Sequence, residues 1–218
     1  MISLKIIFWG LVLFFGLIGY LRGWQKEVIA MAGMVASLAL LQQFGVTLVS
    51  LIGNASNMPP GCAGDPNIQC TQEFWIQAVF HSLLAFFSYQ MVVRLADQVT
   101  AGRFGDRLRK SLEKQIIGAL VGFVNGYLLV GGLWGFLEYQ LGPNGYQRLE
   151  QGVDAFGQCI RPYVFDSSVV IRPVEACMIA TTDAAQSIID FLPMGILSPQ
   201  IWLLIFFGIF ILMIVALI

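Results

Sequence analysis

The amino-acid sequence predicts an all-α, polytopic membrane protein, built as a bundle of about five transmembrane helices. Of its 218 residues 57% are hydrophobic and only 11% are charged, and the mean hydropathy is +0.77. Soluble domains carry about 25% charged residues, so this composition is typical of an integral membrane protein. The apolar runs are long and unbroken, which indicates helices rather than the alternating strands of a membrane barrel.

Five apolar runs are long enough to cross a bilayer, which takes roughly 17 to 25 residues. They are Ile2–Leu21, Val28–Ile52, Phe74–Val93, Ile116–Leu137 and Ile201–Ile218. The first run has the position of a signal peptide, but it lacks a small-residue cleavage site at its end, so we interpret it as a retained span. The fifth run contains no charged residue, which suits a helix that faces lipid or packs on another membrane protein.

The basic residues predict the orientation. Eight of the 12 lysines and arginines fall between spans one and two or between spans three and four, and four fall on the opposite side. The eight are Arg22, Lys26, Arg94, Arg103, Arg107, Arg109, Lys110 and Lys114, and the four are Lys5, Arg148, Arg161 and Arg172. By the positive-inside tendency the first group is cytoplasmic, which places the N-terminus outside and the C-terminus inside.

All four cysteines, Cys62, Cys70, Cys159 and Cys177, fall in the two loops that charge counting places outside. Disulfides persist in oxidising compartments, so we expect two of them here. Three connectivities are possible, of which we prefer the two local pairs, Cys62 with Cys70 and Cys159 with Cys177. A metal site is the competing interpretation, but the chain lacks a nearby histidine and the C-x-x-C spacing that zinc favours, and we expect no metal.

The basic loop Arg103–Lys114 places three apolar side chains at helical spacing among its positive charges. Such a segment would lie on the inner leaflet and attract anionic lipid. An ordinary cytoplasmic loop that fixes the topology explains the same residues. We expect no nucleic-acid partner.

The chain divides into a four-span membrane domain (1–141), an external, disulfide-containing segment (142–200) and the fifth span (201–218). The middle segment is less apolar than its neighbours, and two stretches in it, one beginning near Asn144 and one between Pro173 and Pro193, suggest short external amphipathic helices. They are expected to pack on the bilayer surface.

Span four carries two consecutive G-x-x-x-G steps at Gly118, Gly122 and Gly126, so one face of its helix has no side chains and admits a second backbone. Span one offers a matching set at Gly16, Gly19 and Gly23. The partner of this face is either an inner helix such as span one, which we favour, or a second protein.

Polar residues inside spans are candidate functional residues, because they are costly to place in lipid. His81, the only histidine, would ligate a haem or chlorophyll-type pigment or, more simply, bond to a neighbouring helix. Asn125 and Gln42 are expected to join helices, and Glu138 is placed near solvent at the end of span four. No enzyme motif, no paired carboxylates and no charge deep within a span are seen, so we expect no catalysis and no cofactor, with a pigment at His81 as the alternative.

The stretch "GYLRGWQKEVIAMAG", Gly19–Gly33, resembles the G-x-x-R-G-x-x-x-E-like turn of the colicin V production protein (CvpA) family, and "LEKQIIGALVGFVNGYLL" resembles that family's glycine-stepped fourth span. The resemblance implies a bacterial inner-membrane protein of four spans and an amphipathic tail, linked to colicin V export and envelope homeostasis without an established activity. It carries over to Gly19, Arg22, Gly23 and Glu27 in the turn and to Gly118, Gly122 and Gly126 in span four. The paired cysteines, the long segment after Gly142 and the fifth span depart from the family's pattern.

We therefore expect a multi-pass protein of the bacterial inner membrane with a non-enzymatic envelope or scaffolding role, exerted through helix-packing surfaces. One alternative is an accessory subunit of a larger energy-transducing or pigment-bearing membrane complex. Another is a small channel or transporter. Arg22 and Glu27, five residues apart, would either pair across the turn or remain solvated.

Overall fold

The structure is a computed structural model that describes residues 2–52, 66–100, 112–142, 145–148, 170–171, 188–196 and 198–217. These residues are mostly helical, as the sequence predicts. The helices are α1 (Leu4–Arg22), α2 (Trp24–Ile52), α3 (Pro66–Thr100), α4 (Leu112–Glu138), α5 (Pro193–Ile196) and α6 (Pro199–Leu217), and a single 3₁₀ turn spans Ile188–Phe191. Four short strands complete the described residues, namely β1 (Ile2–Ser3), β2 (Tyr139–Gly142), β3 (Gly145–Arg148) and β4 (Val170–Ile171).

Within the described residues, three helices are long and apolar enough to cross a membrane. They are Leu4–Arg22, Trp24–Ile52 and the Gln115–Glu138 part of α4. These helices coincide with predicted spans one, two and four. The predicted third span lies within α3 (Pro66–Thr100) and the fifth lies within α6 (Pro199–Leu217), and neither is among these three helices. A count of five spans therefore stays a prediction.

The polypeptide after α4 turns back as a β-hairpin rather than continuing into a helix. Strands β2 and β3 are antiparallel, with Gly142 opposite Gly145 at the turn. Gly145 has φ +107, a conformation that glycine adopts without strain and that suits a tight hairpin connection. The predicted helix beginning near Asn144 is therefore wrong over Gly145–Arg148, and the rest of that stretch lies outside the described residues.

Helices α1 and α4 make the closest contact in the bundle. A Cβ atom built on Gly19 would lie 2.2 Å from the carbonyl oxygen of Gly118 and 2.8 Å from the Cα of Gly122. On Gly122 it would lie 2.5 Å from the carbonyl oxygen of Phe15, and on Gly126 it would meet Val12. The glycine-stepped face of α4 thus lies directly on the backbone of α1, as small residues permit in membrane helices.

Helix α2 supplies the centre of the core and contacts α3, α4 and α6. Its inward face is fully buried at Met34, Leu38 and Leu41. Because lipid does not drive apolar side chains together as water does, this packing depends on shape complementarity and polar bonds between helices.

The short helix α5 is seated on the second half of α4. The ring of Pro193 occupies the space above Gly131, and the side chain of Met194 occupies the space above Gly135. The ring of Phe8 also borders Gly131, so α5 lies beside the first turns of α1. Irregular backbone at such a depth must be covered by protein, because hydrocarbon offers it no hydrogen bonds.

Two tyrosines satisfy carbonyl groups of the segment that leads into α5. The Tyr127 hydroxyl donates to the Phe191 carbonyl, and the Tyr139 hydroxyl donates to the Ile189 carbonyl at 3.0 Å. Arg148 of β3 forms an ion pair with Asp190 in the same segment. The hairpin, the 3₁₀ turn and α5 therefore form one bonded cap over the end of the bundle that holds Leu4, which we call the Leu4 end. The opposite end is the Arg22 end.

Candidate functional site

The charged turn between α1 and α2 folds around a glycine. Helix α1 ends at Arg22, and Gly23 has φ +86, so the chain reverses there without the strain that a side chain would add. The Gly23 N–H still donates to the Gly19 carbonyl at 2.9 Å. This turn places Arg22 in the last turn of α1 and Glu27 in the first turn of α2, where each charge is favourable to its helix dipole.

Arg22 and Glu27 form a salt bridge across this turn. Nη1 of Arg22 lies 3.2 Å from Oε1 of Glu27, and the Glu27 side chain is fully buried while that of Arg22 is 23% exposed. Of the two arrangements that the sequence allows, a pair or a solvated turn, the structure has the pair. A buried carboxylate is costly unless it is paired and hydrogen-bonded, so the surroundings of Glu27 must supply more than Arg22.

Two residues from other helices complete the surroundings of Glu27. The Tyr89 hydroxyl of α3 donates to Oε2 at 2.9 Å, and Asn125 Nδ2 of α4 donates to the same oxygen at 2.7 Å and to the Glu27 carbonyl at 2.9 Å. Arg22 in turn donates to the Tyr89 carbonyl and lies 4.6 Å above the Tyr89 ring. We call Arg22, Glu27, Tyr89 and Asn125 the Glu27 cluster.

The sequence places Glu27 in an interhelical turn, whereas the structure buries it in the first turn of α2. Glu27 has no exposed surface and contacts groups from α1, α3 and α4. The Nδ2 group of Asn125 points at Oε2 and at the backbone carbonyl oxygen of Glu27, because the side-chain oxygen of Asn125 would be repelled by them. That oxygen, Oδ1, consequently has no hydrogen-bond partner. Asn125 joins helices, which is the role the sequence predicts.

Tyr89 was not among the candidate residues predicted from the sequence. Its bond to Glu27 connects positions 62 residues apart, which no local pattern reveals. One signal does exist, because Glu27 and Tyr89 both lie close to the ends of predicted spans two and three that face the basic loops. Helices that run alternately up and down bring such positions to one level.

His81 occupies a second polar site nearer the Leu4 end. Its Nε2 atom lies 3.3 Å from the Leu128 carbonyl, which only accepts, so this nitrogen carries the proton. Its Nδ1 atom then accepts from the Ser37 hydroxyl at 2.6 Å. Gly132 leaves the room for the ring, since a Cβ there would lie 2.9 Å from Nε2.

Both ring nitrogens of His81 therefore bond to protein, and the side chain is fully buried. A pigment or haem would have to displace one of these bonds to reach the histidine. Ligation at His81 stays a prediction that these contacts do not favour. Within the described residues no group of three His, Cys, Asp or Glu side chains comes together as a metal site.

A third set of polar bonds holds the hairpin on α3. Gln77 and the backbone N–H of Leu141 both donate to Oε1 of Glu73 at 2.9 Å, and the Tyr146 hydroxyl donates to Gln77 at 3.1 Å. Burial, with a further contribution from the charge of Glu73, raises the pKa of Tyr146 well above its usual value. The neutral hydroxyl is thus retained as the donor.

Glu138 differs from its predicted position near solvent. It is 2% exposed and accepts from the Trp134 indole N–H at 3.1 Å, because the hairpin folds back over the end of α4. Cys62, Cys159 and Cys177, the side chain of Cys70 and most of the basic loop Arg103–Lys114 lie outside the described residues. The disulfide and anionic-lipid predictions therefore stay predictions.

The fold and the Glu27 cluster together define an α-helical membrane protein in which a charged interhelical turn is bonded into the interior of its own bundle. The family model of the colicin V production protein matches residues 4–179. The chain belongs to the colicin V production protein family, as its turn and its glycine-stepped span suggest. The match includes much of the segment after Gly142, which the sequence alone marks as a departure. The comparison with curated proteins gave no match, and neither did the comparison with solved structures.

Proposed function

We propose that this protein has a non-enzymatic scaffolding role in the bacterial inner membrane. The observation that carries the proposal is the state of Glu27, the one fully buried carboxylate within the described part of the membrane helices. All of its close partners belong to the same bundle, and they come from α1, α3 and α4. A carboxylate in that state ties helices together and offers no free oxygen to a passing solute.

The other intramembrane polar side chains support the same interpretation. His81 bonds to Ser37 and to the Leu128 carbonyl, and Gln77 bonds to Glu73 and Tyr146. A channel or transporter instead needs polar groups that line a wet route or a solute site. A cavity of about 570 Å³ between α1, α3 and α4 is lined almost entirely by apolar side chains.

The glycine face of α4 is not available for scaffolding contacts, because α1 covers it. Partner proteins would have to use outward-facing surfaces instead. Helix α6 is one such surface, since Leu204 is 73% exposed and Phe207 is 59% exposed. Its inner side is anchored to the bundle by the buried Trp202.

The proposal is tested in a strain from which the gene has been deleted. Envelope integrity, measured as leakage of a periplasmic enzyme, should fall on deletion and return with the wild-type protein. Asn125→Leu, which removes two donors from Glu27, should not restore it. Leu120→Ala, an exposed change on the same helix, should restore it fully.

A second measurement separates the alternatives. The purified protein in liposomes should pass no ions above the level of protein-free vesicles. Ion flux that depends on Asn125 would establish a channel or transporter and overturn the scaffolding proposal. Co-migration in fixed ratio with a pigment-bearing or energy-transducing complex would establish an accessory subunit instead.

A further inference from the structure

An apolar groove of about 570 Å³ lies on the surface of the bundle near the Leu4 end. Helix α4 forms its floor, and α1 and α3 form its walls. Phe8, Trp75, Ala78, Ser82, Phe86 and Trp134 are among its lining residues. The volume falls in the range of small-ligand sites, about 300–1,000 Å³.

Two small residues give the groove its depth. Ala78 and Ser82 lie one helical turn apart on α3, between the larger Phe74 and Phe86, and all four line the groove. From Phe74 to Phe86 the groove extends about 18 Å along α3. Half of the hydrocarbon core of a bilayer is about 15 Å thick, so the groove has the length of one leaflet.

The groove is closed at the end nearest the middle of the bundle. Beyond Phe86 a side chain of α1 meets one of α3, with the rings of Phe15 and Tyr89 6.0 Å apart. About two turns further along α1, the guanidinium of Arg22 lies 4.6 Å from the centroid of the Tyr89 ring. The walls therefore diverge only toward the Leu4 end.

The chemistry of the lining defines the class of ligand. Among the lining residues only Ser82 and the indole nitrogens of two tryptophans are polar, so the site suits a hydrocarbon chain. Lys5, next to the lining residue Leu4, puts a positive charge in the first turn of α1 at the Leu4 end, the level at which a lipid phosphate lies when its acyl chain enters the membrane. We propose that the groove binds one acyl chain of a phospholipid from the leaflet at the Leu4 end.

A transmembrane helix of a partner fits the groove less well. Such a helix must cross about 30 Å of hydrocarbon, whereas the contact between Phe15 and Tyr89 closes the groove after about one leaflet. An acyl chain ends at the bilayer midplane, which is where this groove ends. The site goes beyond the scaffolding role and does not depend on it.

The test uses the purified full chain in nanodiscs of phosphatidylethanolamine and phosphatidylglycerol. A trace of phospholipid with a diazirine in its acyl chain is activated by light, and the labelled residues are identified by mass spectrometry. Labelling should concentrate on groove residues of α3 and α4. Ser82→Phe, which fills the groove from an exposed position, should lower that labelling at least fivefold.

The matched control is Leu204→Phe, which adds the same ring to an exposed position on α6, away from the groove. It should leave the labelling unchanged. Val79→Phe, at a half-exposed lining position, repeats the test if the first variant is not monodisperse. Equal labelling of all lipid-facing helices, or unchanged groove labelling in both groove variants, would overturn the proposal. So would a dimer of the wild-type chain that Ser82→Phe abolishes, since a second copy would then occupy the groove.

Discussion

The contact between α1 and α4 can be tested quantitatively by making the same substitution, glycine to alanine, at two positions of α1. Gly19→Ala places a methyl group 2.2 Å from the carbonyl oxygen of Gly118, whereas Gly10→Ala places it where no atom lies within 4 Å. Ordinary van der Waals contact begins at 3.4 Å, so the helices must separate by about 1.2 Å at Gly19. The atoms nearest the new methyl group belong to the backbone of α4, which cannot move aside as a side chain can by changing its rotamer.

The cost follows from these distances. Overpacking of a tight contact typically costs about 1–3 kcal/mol. Replacing glycine by alanine within a helix is favourable by roughly 0.5–1 kcal/mol, and this gain is common to both variants. The difference between the two unfolding free energies therefore isolates the contact, and we expect Gly19→Ala to be about 1–3 kcal/mol less stable than Gly10→Ala.

The assay is unfolding in mixed micelles, followed by circular dichroism as the fraction of sodium dodecyl sulfate is raised. Gly10→Ala should unfold at or slightly above the fraction that unfolds the wild type, and Gly19→Ala clearly below it. Coincident transitions for the two variants would refute the close packing of α1 on the glycine face of α4. Gly122→Ala, which meets the Phe15 carbonyl oxygen from the other helix, should reproduce the loss.

Three further predictions concern polar groups. Asn125→Leu should lower the free energy of unfolding by about 1–3 kcal/mol in the same assay, because it leaves the buried Glu27 carboxylate short of a donor. The loss should be smaller when Glu27 is already replaced by Gln, and equal losses in both backgrounds would contradict the hydrogen bond between Asn125 and Glu27. Burial, with the charge of Asp190, raises the pKa of Tyr139 to about 12, so the folded protein keeps the phenolic proton after the unfolded chain has lost it. Stability should therefore decline from about pH 10 to about pH 12, and Tyr139→Phe should flatten that decline in a pH series of unfolding curves. A membrane-impermeant thiol reagent added outside should label Cys62, Cys70, Cys159 and Cys177 after mild reduction, and labelling only from the cytoplasmic side would reverse the predicted orientation.

Composition and apolar run length were enough to predict the main helices. The first predicted span, Ile2–Leu21, corresponds to α1 (Leu4–Arg22), and the fourth, Ile116–Leu137, lies within α4. The reason is physical, because in hydrocarbon a long apolar segment must satisfy its backbone internally and the helix does so without a partner. The two G-x-x-x-G steps likewise marked the face of α4 that lies on α1.

Tertiary contacts decided what the sequence could not predict. The bond from Tyr89 to Glu27 depends on how α2 and α3 align, and neither residue alone distinguishes a buried pair from a solvated turn. The hairpin was missed for a different reason. Strands β2 and β3 have four residues each, too few for an alternating pattern to be recognised. Bonds to α3 hold them in place, from the Leu141 N–H to Glu73 and from the Tyr146 hydroxyl to Gln77.

The distribution of glycines on α4 limits how this protein can act on others. Its described glycines lie against the rest of the chain, with the first three on α1, Gly131 and Gly135 under α5, and Gly132 beside His81. A helix whose small residues are all covered in this way has no close-packing surface left for a partner helix. A partner protein would then have to use another part of the surface, such as the exposed side of α6 or the cap at the Leu4 end. A partner bound there could join or leave without disturbing the Glu27 cluster, because that cluster lies at the other end of the bundle.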